Sequence, residues 1–177
     1  MEIHKLEVAI SELTNPNFSM LIKLWDALRG HAFAPAWRDI DLSSFPGDII
    51  PYITVADLLE HEPTVLYRFW GTGHTRVKGI DLTGKSPLAA TPPVVGQIIF
   101  QEYLQVRDKR VPMAFIHDIR PQSDTSSRFQ ETLRLPLSND GHTVTNVLSL
   151  ADWQTNQDYW VKMYGQIMRD AASEVRL

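Results

Sequence analysis

The segment Gly79-Ile80-Asp81-Leu82-Thr83-Gly84-Lys85-Ser86 matches the phosphate-binding pattern G-x-x-x-x-G-K-[ST] letter for letter. That pattern works only where a buried strand precedes it and a sustained helix follows, because backbone amides and a helix N-terminus do the cradling. Neither condition is met. His74-Thr75-Arg76-Val77-Lys78 does not read as a buried strand, Pro87 disfavours helical backbone at Ser86, and Pro92-Pro93 limits any helix that starts. The segment reads as a Gly-bounded connection, and no nucleotide binding is expected. The histidines are His4, His31, His61, His74, His117 and His142. No two are spaced i, i+4 on one helix, and neither H-x-E nor H-E-x-x-H occurs, so no metal site is expected. His117-Asp118 has the composition of a general base with its orienting partner, yet neighbours on a strand point to opposite faces. Without cysteine or a G-x-S-x-G elbow there is no candidate nucleophile.

Zero cysteine also excludes disulfides, zinc ribbons, iron–sulfur clusters and flavin–cysteinyl photochemistry, and it fits a reducing compartment. The chain has 177 residues, 44% of them hydrophobic and 21% charged, which are the values of one globular domain with a full core. Seventeen basic residues against twenty-one acidic give a net charge of -4. With no dense run of Lys and Arg, nucleic acid is not an expected partner. No apolar run has signal-peptide or membrane-span length, so a soluble, cytoplasmic protein is expected.

Hydrophobic periodicity supplies the elements. Ile3, Leu6, Ile10 and Leu13 recur at near-helical spacing up to Asn15-Pro16-Asn17. Phe18, Leu21, Ile22, Trp25 and Leu28 form a clear helical stripe over 18–28, which Gly30 stops. Strand formers fill 52–58 and 65–70, with Glu60-His61-Glu62-Pro63 as the turn between them. The Gly- and Pro-rich stretch to Pro93 has room only for short helical turns. A helix over 93–107 carries Val95, Ile98, Ile99, Tyr103 and Val106 on one side. Strands over 111–120, 128–137 and 142–153 follow, the last two joined at Asn139-Asp140-Gly141, a hairpin signal. A helix over 159–172 closes the chain with Trp160, Met163, Tyr164, Ile167 and Met168. The order predicts an α+β domain with a five-stranded, mostly antiparallel sheet, short helices on one face and flanking N- and C-terminal helices.

This order, together with Trp25-Asp26-Ala27-Leu28-Arg29-Gly30, Tyr67-Arg68-Phe69-Trp70-Gly71-Thr72, Gly79-Ile80-Asp81-Leu82-Thr83-Gly84-Lys85 and Glu131-Thr132-Leu133-Arg134-Leu135-Pro136-Leu137-Ser138-Asn139-Asp140-Gly141, resembles the PAS domain. The closest resemblance is to stand-alone, single-domain PAS-like proteins of alphaproteobacteria. It covers about residues 18–152 and implies a helical flank over 1–45, a PAS-like domain over 46–153 and a C-terminal helix over 154–177. It carries over no catalytic residue. It implies a non-enzymatic sensory or regulatory domain that binds a small apolar ligand, a signalling protein partner or both. The rival is a small α+β enzyme, of isomerase or dehydratase type, with one acid–base residue in an apolar pocket. No cofactor is expected, although His74 and His117 are the histidines to weigh as haem ligands because some PAS domains bind haem.

On the inner sheet face, Tyr67, Phe69, Phe115, His117, Phe129 and Leu133 are expected to line a cavity closed by Ile99 and Tyr103, or else a packed core. Phe18, Leu21, Trp25 and Leu28 are expected either to cover the outer face within one chain or to meet a second copy. The resemblance favours the homodimer.

Overall fold

The alternation that makes residues 129–137 a strand also decides how the molecule is layered. Leu133, Leu135 and Leu137 point to one face, and Gln130, Thr132 and Arg134 to the other, yet all six are buried. A strand buried on both faces needs a layer on each side, and the chain supplies two. The computed structural model describes residues 2–59, 64–120 and 128–174. Its strands are β1 (Glu2–Val8), β2 (Ile53–Leu59), β3 (Thr64–Trp70), β4 (Met113–Arg120), β5 (Phe129–Leu137) and β6 (Asn146–Ala151). They form one sheet in the order β1-β4-β5-β6-β2-β3, every neighbouring pair antiparallel. The helices are α1 (Pro16–Arg29), α2 (Thr72–Lys78), α3 (Pro93–Lys109) and α4 (Gln157–Glu174). This is an α+β, PAS-like fold, and none of its described helices is long and apolar enough to cross a membrane.

The sheet has six strands where five were expected. The N-terminal residues, read above as part of a helical flank, form β1 along the edge of β4, with Glu2 opposite Arg120 and Val8 opposite Ala114. An open strand edge offers a full row of backbone donors and acceptors, and that outweighs a four-residue apolar spacing. Leu6, one of the four, is 61% exposed. The turn expected at 60–63 lies outside the described residues, but β2 and β3 do pair across it, Leu59 opposite Thr64. Asp140-Gly141 sits within a longer connection, residues 138–145, so β6 starts later than expected.

Helix α1 lies on the outer face along β5. Pro16 takes its first position, and the Asn15 side chain caps it by accepting from the Asn17 N–H at 3.0 Å. Glu131 of β5 ties down this end, accepting from the Thr14 N–H at 3.0 Å and the Thr14 hydroxyl at 2.9 Å. The Trp25 indole N–H donates to the Pro136 carbonyl at 2.8 Å and fixes the other end. Phe18, Leu21 and Trp25 are buried against Ile53, Leu133, Leu135, Leu148 and Leu150. Each such side chain gains roughly 1.5–3 kcal/mol on leaving water. Three of the four residues expected at a dimer interface are therefore covered within the chain, and Leu28 alone stays open, 39% exposed.

Two expected placements reverse. Phe69 packs in the outer cluster rather than beside Tyr67. The cause is a bulge: Val55 pairs with Phe69 but Ala56 pairs with Tyr67, so Arg68 is the extra residue and the alternation of β3 slips by one. Leu133 likewise belongs to the outer face under α1, and Phe129, at the start of β5, is 57% exposed. The apolar residues of β5 serve α1, and its polar residues face inward. Leu133→Ala should therefore destabilise by about 2–5 kcal/mol, while Phe129→Ala should change stability by no more than about 0.5 kcal/mol. Urea denaturation of the two variants checks the strand phase.

Candidate functional site

The inner face is covered by α2, α3 and α4, and between them and the sheet lies a narrow cavity. Its volume is about 30 Å³, by the measure in which one water takes up roughly 10–15 Å³. Of the residues expected there, Tyr67, Ile99, Tyr103 and His117 do line it. Phe115 is fully buried on the same face, its ring stacked 6.4 Å from that of His117, but it stands outside the cavity wall. Phe69, Phe129 and Leu133 are absent from the wall for the reasons given above.

The β5 residues that replace them are polar, and they form a buried network. Arg134 reaches Glu102 of α3 through Nε at 2.9 Å and Nη2 at 2.6 Å, both to Oε2, and donates through Nη1 to the Ser149 hydroxyl at 3.0 Å. Its guanidinium lies 4.3 Å from the centre of the Tyr103 ring, a stacked cation–π contact. The other Glu102 oxygen meets His117 Nε2 at 2.6 Å. His117 Nδ1 meets Gln130 Oε1 at 3.0 Å, and the Gln130 amide is turned that way because its nitrogen donates to the Glu131 carbonyl and to Thr132 Oγ1. Glu102 is fully buried. Burial alone would raise its carboxyl pKa, but the charges of His117 and Arg134 outweigh that and hold it down at about 2.

Helix α2 brings a second group. Gly71 and Gly73 let it approach the sheet edge, since a Cβ at either position would collide with the Pro51 carbonyl. Positions 74 and 78 then share the inward face. The Trp153 indole N–H donates to His74 Nδ1 at 3.1 Å, so the other ring nitrogen carries the proton and donates to the Tyr52 carbonyl at 2.9 Å. Burial, and after it the neighbouring Lys78 charge, push the His74 pKa down to about 3. With both nitrogens engaged His74 has none to offer haem, and both nitrogens of His117 are held by Gln130 and Glu102. Lys78 sits among three aromatic rings, 5.4 Å from the centres of Trp70 and Trp153 and 5.9 Å from that of Tyr164. Gly79, the first glycine of the phosphate-binding pattern, is the left-handed residue that ends α2. Gly84 and Lys85 pair with the backbone of Tyr67, so the pattern forms an edge connection without a phosphate cradle. Asp118 takes no part in the cavity.

Sequence reasoning missed Glu102, Arg134 and Lys78. Glu102 had a readable signal: it falls on the same helical stripe as Ile98, Ile99 and Val106, where a carboxylate needs a buried partner. Arg134 alternates with the leucines of its strand, and that pattern alone assigns it no role. Lys78 gave no signal, because the inward face of so short a helix cannot be phased.

These features define an α+β domain whose inner cavity has a charged floor and aromatic walls. No protein-family profile matches the chain, and no curated protein is similar to it. Among solved structures it is similar to one described as an RNA-binding light-oxygen-voltage receptor, with 13% identity, 99% of this chain and 44% of that chain covered, and a TM-score of 0.39. The chain thus spans less than half the length of that receptor.

Glu102→Gln keeps the shape of the network but leaves the Arg134 charge uncompensated in the core, and should cost about 3–5 kcal/mol. Replacing Glu102 and Arg134 together by Met should cost less than the single change, which a double-mutant cycle in urea will read. A second expectation follows from His74. Its folded pKa is lowered, so the unfolded chain binds the extra proton between 6.5 and about 3, and stability falls as pH drops through that window. From about pH 7 to pH 5 the wild type should lose about 2 kcal/mol more than His74→Gln, measured by urea midpoints at each pH.

Proposed function

We propose that the chain is a non-enzymatic sensory or regulatory domain that takes up a small molecule in the inner cavity and passes its occupancy to α4, and through α4 to a protein partner. The observation that carries this reading is the cavity itself, which is lined by side chains held in place by a closed polar network. Preorganised polar groups in an otherwise apolar wall are the usual make-up of a small-molecule site. The polar half of the wall changes the expected ligand from purely apolar to one with a polar end.

The carboxylate and the imidazoles around the cavity are already engaged, which supports binding over catalysis by these groups. Both oxygens of Glu102 and both nitrogens of His74 and His117 are engaged. An isomerase or dehydratase that used Glu102, His74 or His117 as its acid or base would need that group available to substrate. The role of α4 rests on shared residues: Tyr164 lines the cavity, while Trp160, Met163 and Ile167 anchor the same helix on Trp153 and Val77. A homodimer built on Phe18, Leu21 and Trp25 is not part of this reading, since α1 packs within its own chain.

The test is a thermal-shift screen of small polar–apolar fragments, with Ile99→Phe, which fills the cavity, as control. Saturable stabilisation that disappears in the variant, with slower amide exchange along α4 on binding, is the expected result. Shifts of equal size in wild type and variant, or none in either, would refute the reading.

A further inference from the structure

Three donors around the cavity have no acceptor among the described residues. Lys78 is 6% exposed and forms no hydrogen bond or ion pair with any described residue. The Trp70 indole N–H and the Tyr164 hydroxyl are fully buried and also lack partners. All three residues line the same cavity. Buried polar groups without partners are rare in folded proteins, and a cluster of them around one space calls for an occupant. A lysine ammonium and an indole N–H can only donate, so that occupant has to bring acceptors.

Charge points the same way. Arg134 and Lys78 both line the cavity, and among the described residues no carboxylate does. Glu102 neutralises Arg134 through two hydrogen bonds and does not reach the wall. The Lys78 ammonium is therefore in contact only with ring faces among the described residues. Val95, Ile98, Ile99, Ile119 and Ala151 supply the apolar part of the wall, and the space is small. We propose that the cavity binds a short-chain monocarboxylate, its carboxylate on Lys78, Tyr164 and Trp70 and its few carbons against the isoleucines. This rests on the cavity being the ligand site and names the ligand class.

Burial, and after it the Arg134 charge, lower the Lys78 pKa to about 8, against the pull of Glu102. The other titratable groups around it are His74 on α2, Tyr103 on α3, Tyr67 on β3, His117 on β4 and Tyr164 on α4. Of these, His74 is held neutral, and burial raises the Tyr67 and Tyr164 phenols. Above about pH 8 the free protein carries a neutral Lys78, so carboxylate binding must take up a proton. Affinity should then fall by about tenfold per pH unit.

The experiment titrates the full chain with propionate, propanol and propylammonium, followed by amide NMR shifts at constant ionic strength. Saturable binding of propionate alone is expected, weaker by about tenfold or more in Lys78→Met and reduced in Tyr164→Phe. Lys78→Met removes an uncompensated buried charge, so it should fold at least as stably as the wild type; Lys78→Gln serves as the second variant. Propionate binding that is equal in wild type and Lys78→Met, or no saturable shift with propionate, overturns the inference. If propanol binds as tightly as propionate and is lost in Ile99→Phe, the cavity remains the ligand site and the carboxylate inference fails. If nothing binds here or in the fragment screen, both fail.

Discussion

The ion pair between Glu102 and Arg134 is the constraint on which the inner half of the molecule depends. Strand β5 is third in a six-stranded sheet and buried on both faces. Its outer side chains are leucines, which need only an apolar cover. Its inner side chains are Gln130, Thr132 and Arg134, which cannot be buried without partners. Glu102 answers Arg134 with one oxygen and His117 with the other, so a single carboxylate joins α3 to β4 and β5. It also fixes the rotation of α3: only with Glu102 inward does Tyr103 stack on the guanidinium, placing its hydroxyl 3.3 Å from that of Thr54. An apolar interface tolerates small slides, whereas hydrogen bonds between charged groups do not. The pair therefore sets geometry rather than adding much net stability, in keeping with the small or negative contribution of many buried pairs.

How far the sequence could be read follows from the same division. Helices α1, α3 and α4 and strand β5 were legible from their internal period, and β2 and β3 from their strand-forming residue types. Phase was legible only where one face is apolar and the other solvated. On β5 both faces are buried, and the rule that apolar residues face the ligand cavity put Leu133 on the wrong side. Phe69 was unreadable for another reason: the bulge at Arg68 depends on pairing with β2, which no local pattern encodes. Strand β1 was missed because its stabilising partner, the edge of β4, lies more than a hundred residues away in sequence, as Glu2 opposite Arg120 shows. Of the site, Tyr67, Ile99, Tyr103 and His117 were foreseen from their strands and helix, whereas Trp70, Trp153 and Tyr164 and the charged Glu102, Arg134 and Lys78 were not. A carboxylate on an apolar helical stripe and an arginine on a central strand are each odd alone, and they explain one another only once the helix is laid on the sheet.

The segment from Gly71 to Ser86 joins the two halves of the site. Three of its glycines do separate jobs, and the phosphate-binding pattern merges the last two into one. Gly71 permits close approach to Pro51, Gly79 ends α2 in the left-handed region, and Gly84 turns the chain so that its N–H meets the Tyr67 carbonyl at 2.8 Å. Together they deliver His74 and Lys78 to the cavity from the side opposite Glu102. The resemblance to a phosphate-binding loop comes from the same need for positive backbone angles, with no phosphate chemistry behind it.

The two polar groups of the cavity differ in how complete they are. The Glu102 network is closed, with each strong donor matched by an acceptor. The group around Lys78 is open: its cation rests on aromatic faces from three parts of the chain, β3 through Trp70, the segment after β6 through Trp153, and α4 through Tyr164. Ring faces stabilise a cation, but by less than an anion does in the same dry surroundings. On the proposed reading, an arriving carboxylate would draw the ammonium away from the rings and toward itself. The ring that rides on α4 is Tyr164, and its neighbours Trp160 and Met163 are the residues that seat the helix. A change in where one buried charge finds its counter-charge is thereby a change in what holds α4 to the sheet. The closed network keeps the floor of the cavity rigid, so the open group is the part free to respond.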